Sequence, residues 1–377
     1  MPIRFLFLIL NLMLTVLLTG CWGRQELNSV AIIHTIAVDQ EKNNLVRLTV
    51  EISDLKSQSQ GGPAGLSGKS IYLTSTGHSI FEAARNLRNS SSRHLIWGHV
   101  NAIIFSKKMA QEGLRKNFDT LIRLRHFRNT MNVFIANGKA SDIFRASIPQ
   151  QSYISIGLRG LEEAQHSTAN TRRVTLMQVG EALTNKYKTL TIPAVELFKL
   201  PKTSKESLRS LGVFTFKDDK LFSLMDVVKT KAYVRAINEA KSAVEILPCG
   251  TGNDYATFEN VRNHTKITSK LQDNHPTITM EMLPEFDIVE VQCGEKITSN
   301  QLTKWEEQLN SRITLQNQDL IRYSQKNNLD LLGIGEVIHR EHPQEWKNMK
   351  KNWRQIYPNL QIQIVVKSRI DHSNLSS

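Results

Sequence analysis

The chain has 377 residues, with 48 Lys and Arg against 35 Asp and Glu, and a net charge of +13. At 40% apolar and 22% charged residues it is neither a disordered chain nor a multipass membrane protein, and three cysteines are too few for a disulfide-built scaffold. The cationic surplus points to an anionic partner, either nucleic acid or a lipid or polymer surface.

The first segment decides between those partners. Arg4 precedes residues 5–18, apolar except for Asn11 and Thr15, and Leu18-Thr19-Gly20-Cys21 follows. A basic start, an apolar middle and small residues at the end are the plan of a secretory signal. The apolar run falls below the roughly 17–25 residues that a spanning helix needs. Its last four residues fit the bacterial lipobox, in which a cysteine thiol takes a diacylglycerol before cleavage ahead of it. Residues 1–20 are therefore expected to be a lipoprotein signal and Cys21 the lipidation site. Two acyl chains on one residue would make the anchoring durable, where a single chain binds only reversibly. The remainder is expected to work outside the cytoplasm, on the outer face of the membrane. Export argues against nucleic acid and for anionic lipid headgroups or wall polymers.

Beyond a polar lead-out, residues 31–38 form a continuous apolar run, and Val46, Leu48, Val50 and Ile52 alternate with polar residues. Together they predict a hairpin. Residues 57–69, with Gly61-Gly62-Pro63, read as a loop. Ser79 and Glu82 have capping-box spacing and open a helix with Ile80, Ala83, Ala84 and Leu87 on one face. Residues 95–105 predict a strand, 107–125 a helix, 132–136 a strand and 174–183 a helix. A strand follows over 190–198, whereas residues 153–173 read as polar and irregular. Asp218-Asp219 is the turn of a second hairpin, 208–217 with 220–228. Strand patterns recur at 243–247, 266–271, 277–283 and 288–291. Leu302, Trp305, Leu309, Ile313, Leu320 and Tyr323 mark one long amphipathic helix from 301 to about 327. Alternation at 360–367 predicts a terminal strand.

The expected class is α+β, a multidomain ectodomain of mixed sheets packed with helices. The polar stretch 201–206 is the best linker. The expected division is a signal over 1–20, an N-terminal α/β domain over 21–200, a β-rich middle domain over 201–295, and a C-terminal α+β domain over 296–377.

Residues able to carry chemistry are scattered. Glu336 and His339 have the spacing of two metal ligands on one helix face, with His342 three residues on. The second copy and the extra carboxylates of a di-iron bundle are missing, and Pro343 ends the helix. Ser53 and Lys56 have the S-x-x-K spacing of penicillin-recognising enzymes without the companion motifs. Gly333-Ile334-Gly335 lacks the third glycine of a dinucleotide fingerprint. His34, on an apolar run, reads as a core histidine. Trp97-Gly98-His99 places a glycine inside a predicted strand, a sign of close backbone approach or of a partner-binding edge. Trp305, Trp346 and Trp353 read as core. No catalytic set, cofactor site or metal site emerges, and no enzyme activity is expected. Cys249 and Cys293 remain after Cys21 is used, and their pairing is left open.

The stretch Gly333-Ile334-Gly335-Glu336-Val337-Ile338-His339-Arg340, followed by Pro343, Trp346, Trp353 and Pro358, resembles the Ger(x)C family. These are the C-subunit lipoproteins of spore germinant receptors. Cys21-Trp22, the helix over 79–87, Trp97-Gly98-His99, Arg123-Leu124-Arg125, residues 138–143 and residues 212–221 resemble family segments in family order. One departure follows Leu221. A glycine- and glutamate-rich turn is usual in the family there, and this chain has Phe222 to Lys231 instead. The resemblance implies several mixed α/β domains and a non-enzymatic, lipid-anchored subunit on the spore inner membrane. It also implies a polytopic A subunit and a transporter-like B subunit as partners in the response to nutrients. Trp97, His99, Arg123, Arg125, Glu336 and Arg340 are the candidate subunit contacts. A solute-binding lipoprotein and, further off, a wall-active enzyme are the alternatives.

Overall fold

The computed structural model describes residue 5 and residues 29–53, 70–124, 127–148, 153–185, 187–250, 253–272, 275–294 and 297–373. The rest of the signal, Cys21, the loop over 57–69, Lys56 and Arg125 lie outside them.

The N-terminal half begins with the predicted hairpin. Strands β1 (Val30–Gln40) and β2 (Val46–Ser53) pair antiparallel, and β3 (Ser70–Gly77) follows on β2. Helix α1 (Ile80–Asn86) starts at Ser79, whose hydroxyl accepts the Glu82 N–H. The capping box is only half formed, because the Glu82 carboxylate turns to the His78 N–H at 2.7 Å. The expected strand over 95–105 is two strands, β4 (His94–Ile96) and β5 (Ala102–Ser106). Trp97-Gly98-His99 lies in the turn between them, so Gly98 is not a strand glycine. The expected helix over 107–125 is also two, α2 (Lys107–Glu112) and α3 (Arg115–Arg123). Gly113, with a φ of +123°, breaks it in a conformation that side chains disfavour.

Next come β6 (Asn132–Ala136) and two short helices in the stretch that reads as irregular, α4 (Ile154–Glu163) and α5 (Gln165–Thr168). Ile154, Leu158 and Glu162 recur at helical spacing and are buried, a periodicity diluted by the two glycines and three charges of α4. Helix α6 (Leu176–Thr184) carries the complete capping box, Thr175 with Gln178. Strands β7 (Thr191–Lys199), β8 (Glu206–Lys217) and β9 (Lys220–Met225) complete a nine-stranded mixed sheet. Its order is β3-β2-β1-β5-β6-β7-β8-β9, with β4 beside β1. One face packs on α1, α2, α3 and α6, and the other on α4 and the turn 141–145.

The stretch 201–206 is a turn within the first sheet. It turns a hairpin, with Lys199 opposite Glu206 in one continuous sheet. Strand β9 stops at Met225 rather than 228, because the Asp226 carboxylate caps α7 (Val227–Ala236).

The second sheet joins the expected middle and C-terminal units. Strand β10 (Val244–Pro248) borders β11 (Tyr255–Gln272), which pairs along its length with β12 (His275–Val291). Three of the four short strand patterns are thus pieces of two long strands. After α8 (Ser299–Lys326), the helices α9 (Ile334–Glu341), α10 (Pro343–Met349) and α11 (Trp353–Ile356) lead to β13 (Gln361–Val366) and β14 (Arg369–Ser373). Both final strands run parallel to β12. Residues on either side of 295 therefore share one core, which includes Phe258, Met280, Trp305, Ile313, Trp346 and Trp353. Cys249 and Cys293 are joined as a disulfide with 5.9 Å between their Cα atoms, fastening the end of β10 to the end of β12. The α+β class holds, with two sheets and three hydrophobic clusters, two of them on opposite faces of the first sheet.

Candidate functional site

The sequence-selected residues fall at two separate places, on either side of α3. Arg115 at its start lines a cleft between the two sheets, and Leu124 just past its end lines a groove on the N-terminal domain.

The cleft is a junction. Asp330 is buried, and its carboxylate accepts the N–H groups of Ile334 and Gly335, both at 2.8 Å. It thereby satisfies donors left open at the start of α9. Burial pushes its carboxyl up to about 7, against the pull of those two hydrogen bonds. Its backbone carbonyl accepts the Thr189 N–H of the N-terminal domain at 2.9 Å. Glu336 accepts from the Asn185 side chain and lies 3.9 Å from Lys188. Its side chain is engaged within the chain and still 42% exposed at the junction. Tyr187 meets Trp346 edge to face at 4.9 Å. Arg354 pairs with Asp218 at 2.5 Å across the same seam. Farther along it, the Tyr323 hydroxyl lies 3.1 Å from that of Thr215 and 2.5 Å from that of Ser223. The remaining space is about 280 Å³.

The glycine pair at 333 and 335 serves this packing. Gly333 has a φ of +67°, and a Cβ on Gly335 would come within 2.9 Å of Trp346 and 3.1 Å of Trp353. Glu336, His339 and His342 face three different partners: the Asn185 amide, the Trp346 ring and the Ser269 carbonyl. Among the described residues no three metal-binding side chains converge. Arg340 is exposed on the last turn of α9.

The groove encloses about 380 Å³ between α1, β4 and the end of α3. Trp97 is half-buried and meets Phe127 edge to face at 5.9 Å. It packs on the core from one side and opens to the groove on the other. His99 is exposed in the same turn, and Arg123 is exposed and bonded to Asp119 at 2.8 Å. Sequence reading missed Phe81, Arg85 and Arg88 here. They sit on or beside α1, outward of the apolar face that drew attention.

In the N-terminal domain His34 is half-buried, with partners for its ring inside the chain. Its Nε2 bonds the Ser53 hydroxyl and its ring stacks on Tyr153 at 4.2 Å. Burial, with His99 nearby, lowers its pKa. Next to it, Glu51 accepts from Thr35 at 2.6 Å, Ser70 at 2.9 Å and the Ile154 N–H at 2.8 Å, which fastens α4 to β2.

Two family models match in the same order as the two sheets. Residues 23–197 match the spore germination protein N-terminal domain, and residues 211–374 match the spore germination B3/GerAC-like C-terminal domain. The chain belongs to this spore germination family. It is 24% identical to spore germination protein KC of Bacillus subtilis (strain 168), over 99% of this chain and 96% of that protein. It is 21% identical to spore germination protein GerQC of Bacillus cereus, over 98% and 99% respectively. The crystal structure of the GerBC protein superposes with a TM-score of 0.59 at 15% identity, covering 89% of this chain and 96% of that one. That likeness establishes the fold. In this member of the family, no helix among the described residues is long and apolar enough to cross a membrane.

Proposed function

We propose that the protein is the lipid-anchored C-type subunit of a spore germinant receptor. It would be held at the outer face of the spore inner membrane through Cys21, next to a polytopic A subunit and a transporter-like B subunit. Its contribution to the nutrient response is that of a non-enzymatic scaffold. The observation that carries this reading is the order of features along the chain: a lipobox ending at Cys21, then both spore germination domains through residue 374. The stitched junction supports the scaffold role, because Thr189, Tyr187, Asn185 and Asp218 hold the two sheets in one arrangement. A lipid tether raises the local concentration of that surface beside membrane-embedded partners. The exposed His99, Arg123 and Arg340 are the positions proposed to face those partners.

The test is Cys21→Ala in spores. The variant is expected to leave the membrane fraction, or to stay unprocessed, and to abolish the response to the cognate nutrient. Mass spectrometry of the wild-type protein purified from spore membranes is expected to find the A and B subunits. Normal membrane retention with a normal nutrient response would refute the reading.

A further inference from the structure

The tether reaches the folded protein at one defined place. Strand β1 starts at Val30, and its first three residues, Val30, Ala31 and Ile32, pair with His94, Leu95 and Ile96 of β4. Strand β5 begins only opposite Thr35. The sheet therefore narrows to a two-stranded ridge where the tether arrives, and the groove lies along it, with all of β4 in its lining. Seven residues lie between Cys21 and Ser29, eight residue steps in all. Fully extended, they reach about 27 Å. A bilayer holding the Cys21 acyl chains is within that distance of the groove-bearing end of the molecule.

The surface there has the chemistry of a membrane interface. Phe81 is 43% exposed, and the Arg85 guanidinium lies over its ring at 5.0 Å. Arg88 and His94 complete the rim, Trp97 and Phe127 form the aromatic wall, and none of the lining residues is acidic. The nearest carboxylates along the flanking helices, Glu82 and Asp119, are already bound by His78 and Arg123. Aromatic rings favour the headgroup level of a bilayer, and arginines favour its anionic phosphates.

We propose that this aromatic and cationic groove is the face on which the protein lies against an anionic bilayer. Phe81 and Trp97 sit among the headgroups, and Arg85 and Arg88 pair with lipid phosphates. The assignment takes Trp97 from the candidate subunit contacts and gives it to lipid. It rests on the anchored-subunit reading for its orientation, because the tether selects which end meets the bilayer. Binding at the groove itself requires no acyl chain.

That difference makes the test. Residues 21–377 carrying Cys21→Ser, and hence no lipid, are sedimented with vesicles of phosphatidylcholine alone or mixed with phosphatidylglycerol. The protein is expected to bind the anionic vesicles and not the neutral ones, with binding that falls as salt rises. Removing an arginine near an anionic surface lowers affinity roughly fivefold, so Arg85→Glu with Arg88→Glu is expected to lower it about 25-fold or more. Phe81→Ser, at an exposed position, is expected to weaken binding several-fold with an unchanged melting temperature, and it serves if the double reversal perturbs the fold. Two results overturn the proposal. One is that the unlipidated protein ignores anionic vesicles. The other is that the variants bind vesicles normally but lose co-purification of other subunits, which would make the groove a protein interface. Membrane fractionation of the Cys21→Ala chain judges the anchor separately. Vesicle binding with no Cys21-dependent retention would sink the anchor alone, and the converse would sink the groove alone.

Discussion

Each domain encloses a glutamate, and the two titrate in opposite directions. Glu245 on β10 is buried beneath α7 and α8, where burial would raise its carboxyl. Arg235 at 2.9 Å and Lys231 at 3.0 Å outweigh that effect and hold it at about 2, and Arg312 lies 3.0 Å from its other oxygen. Glu162 on α4 is buried against the first sheet, with the Asn132 amide on one oxygen and no hydrogen-bond partner on the other. Burial raises it to about 8, and Arg173 and Arg159 oppose the shift without reversing it. Burial is nearly equal in the two places, so the number and closeness of cations decides the charge. The C-terminal domain uses an ionic cluster to tie two helices to a strand. The N-terminal domain holds a neutral acid in a sheet covered on both faces.

Removing the charge from each site sharpens that contrast. Glu245→Ala leaves the fully buried Arg235 without its counter-ion and is expected to lower stability by about 3–5 kcal/mol at neutral pH. Denaturant unfolding reads it directly, and a loss well under 1 kcal/mol would show that the cluster adds nothing. Because the folded value of Glu245 lies below its ordinary 4.5, its contribution is present above that pH and fades as pH falls toward 2.

Glu162→Gln has the opposite profile. The folded carboxyl holds its proton up to about 8, so the wild-type protein loses stability as pH rises from 4.5 through 8. The amide removes that loss. The variant is expected to gain about 1–3 kcal/mol over the wild type at pH near 8, and nothing at pH near 4.5. A gain independent of pH would mean that Glu162 ionises normally.

Glu336 lies between these extremes. Its side chain keeps 42% of its surface exposed at the junction, with Lys188 at 3.9 Å. Water screens such a pair, so Glu336→Ala is expected to cost only about 0.2–1 kcal/mol, chiefly through the lost Asn185 bond. A larger loss, measured as the separation of two unfolding transitions, would make this contact the main hold between the domains.

Much of the first hairpin and the long helix was legible because each carries its own period. Alternation from Val46 to Ile52 and the recurrence from Trp305 to Leu320 follow from burying one face of a strand or a helix. Breaks were harder to see. The single predicted strand through Trp97-Gly98-His99 is interrupted because β4 and β5 pair with different parts of β1, which no local pattern reports. The polar stretch at 201 resembles a linker, yet a tight turn between paired strands needs the same polar residues. At the junction, Asp330 escaped notice because its partners are backbone N–H groups of a helix whose start depends on Gly333. The groove is not legible in the sequence because Phe81 and Trp97, far apart along the chain, line one space only when β4 pairs with β1.

The sequence by itself determined the class of fold and the family, and it carries the pattern expected of an export signal with a lipid site at Cys21, since each rests on residue order or on a short period. Only the tertiary structure decided how the hydrophobic clusters divide between the two sheets, that Cys249 faces Cys293, which buried glutamate is ringed by cations, and which strand lies beside the start of β1. Those outcomes depend on strand pairing and on charges brought together across tens of residues. Such distances are set by the packed chain and not by neighbours along it.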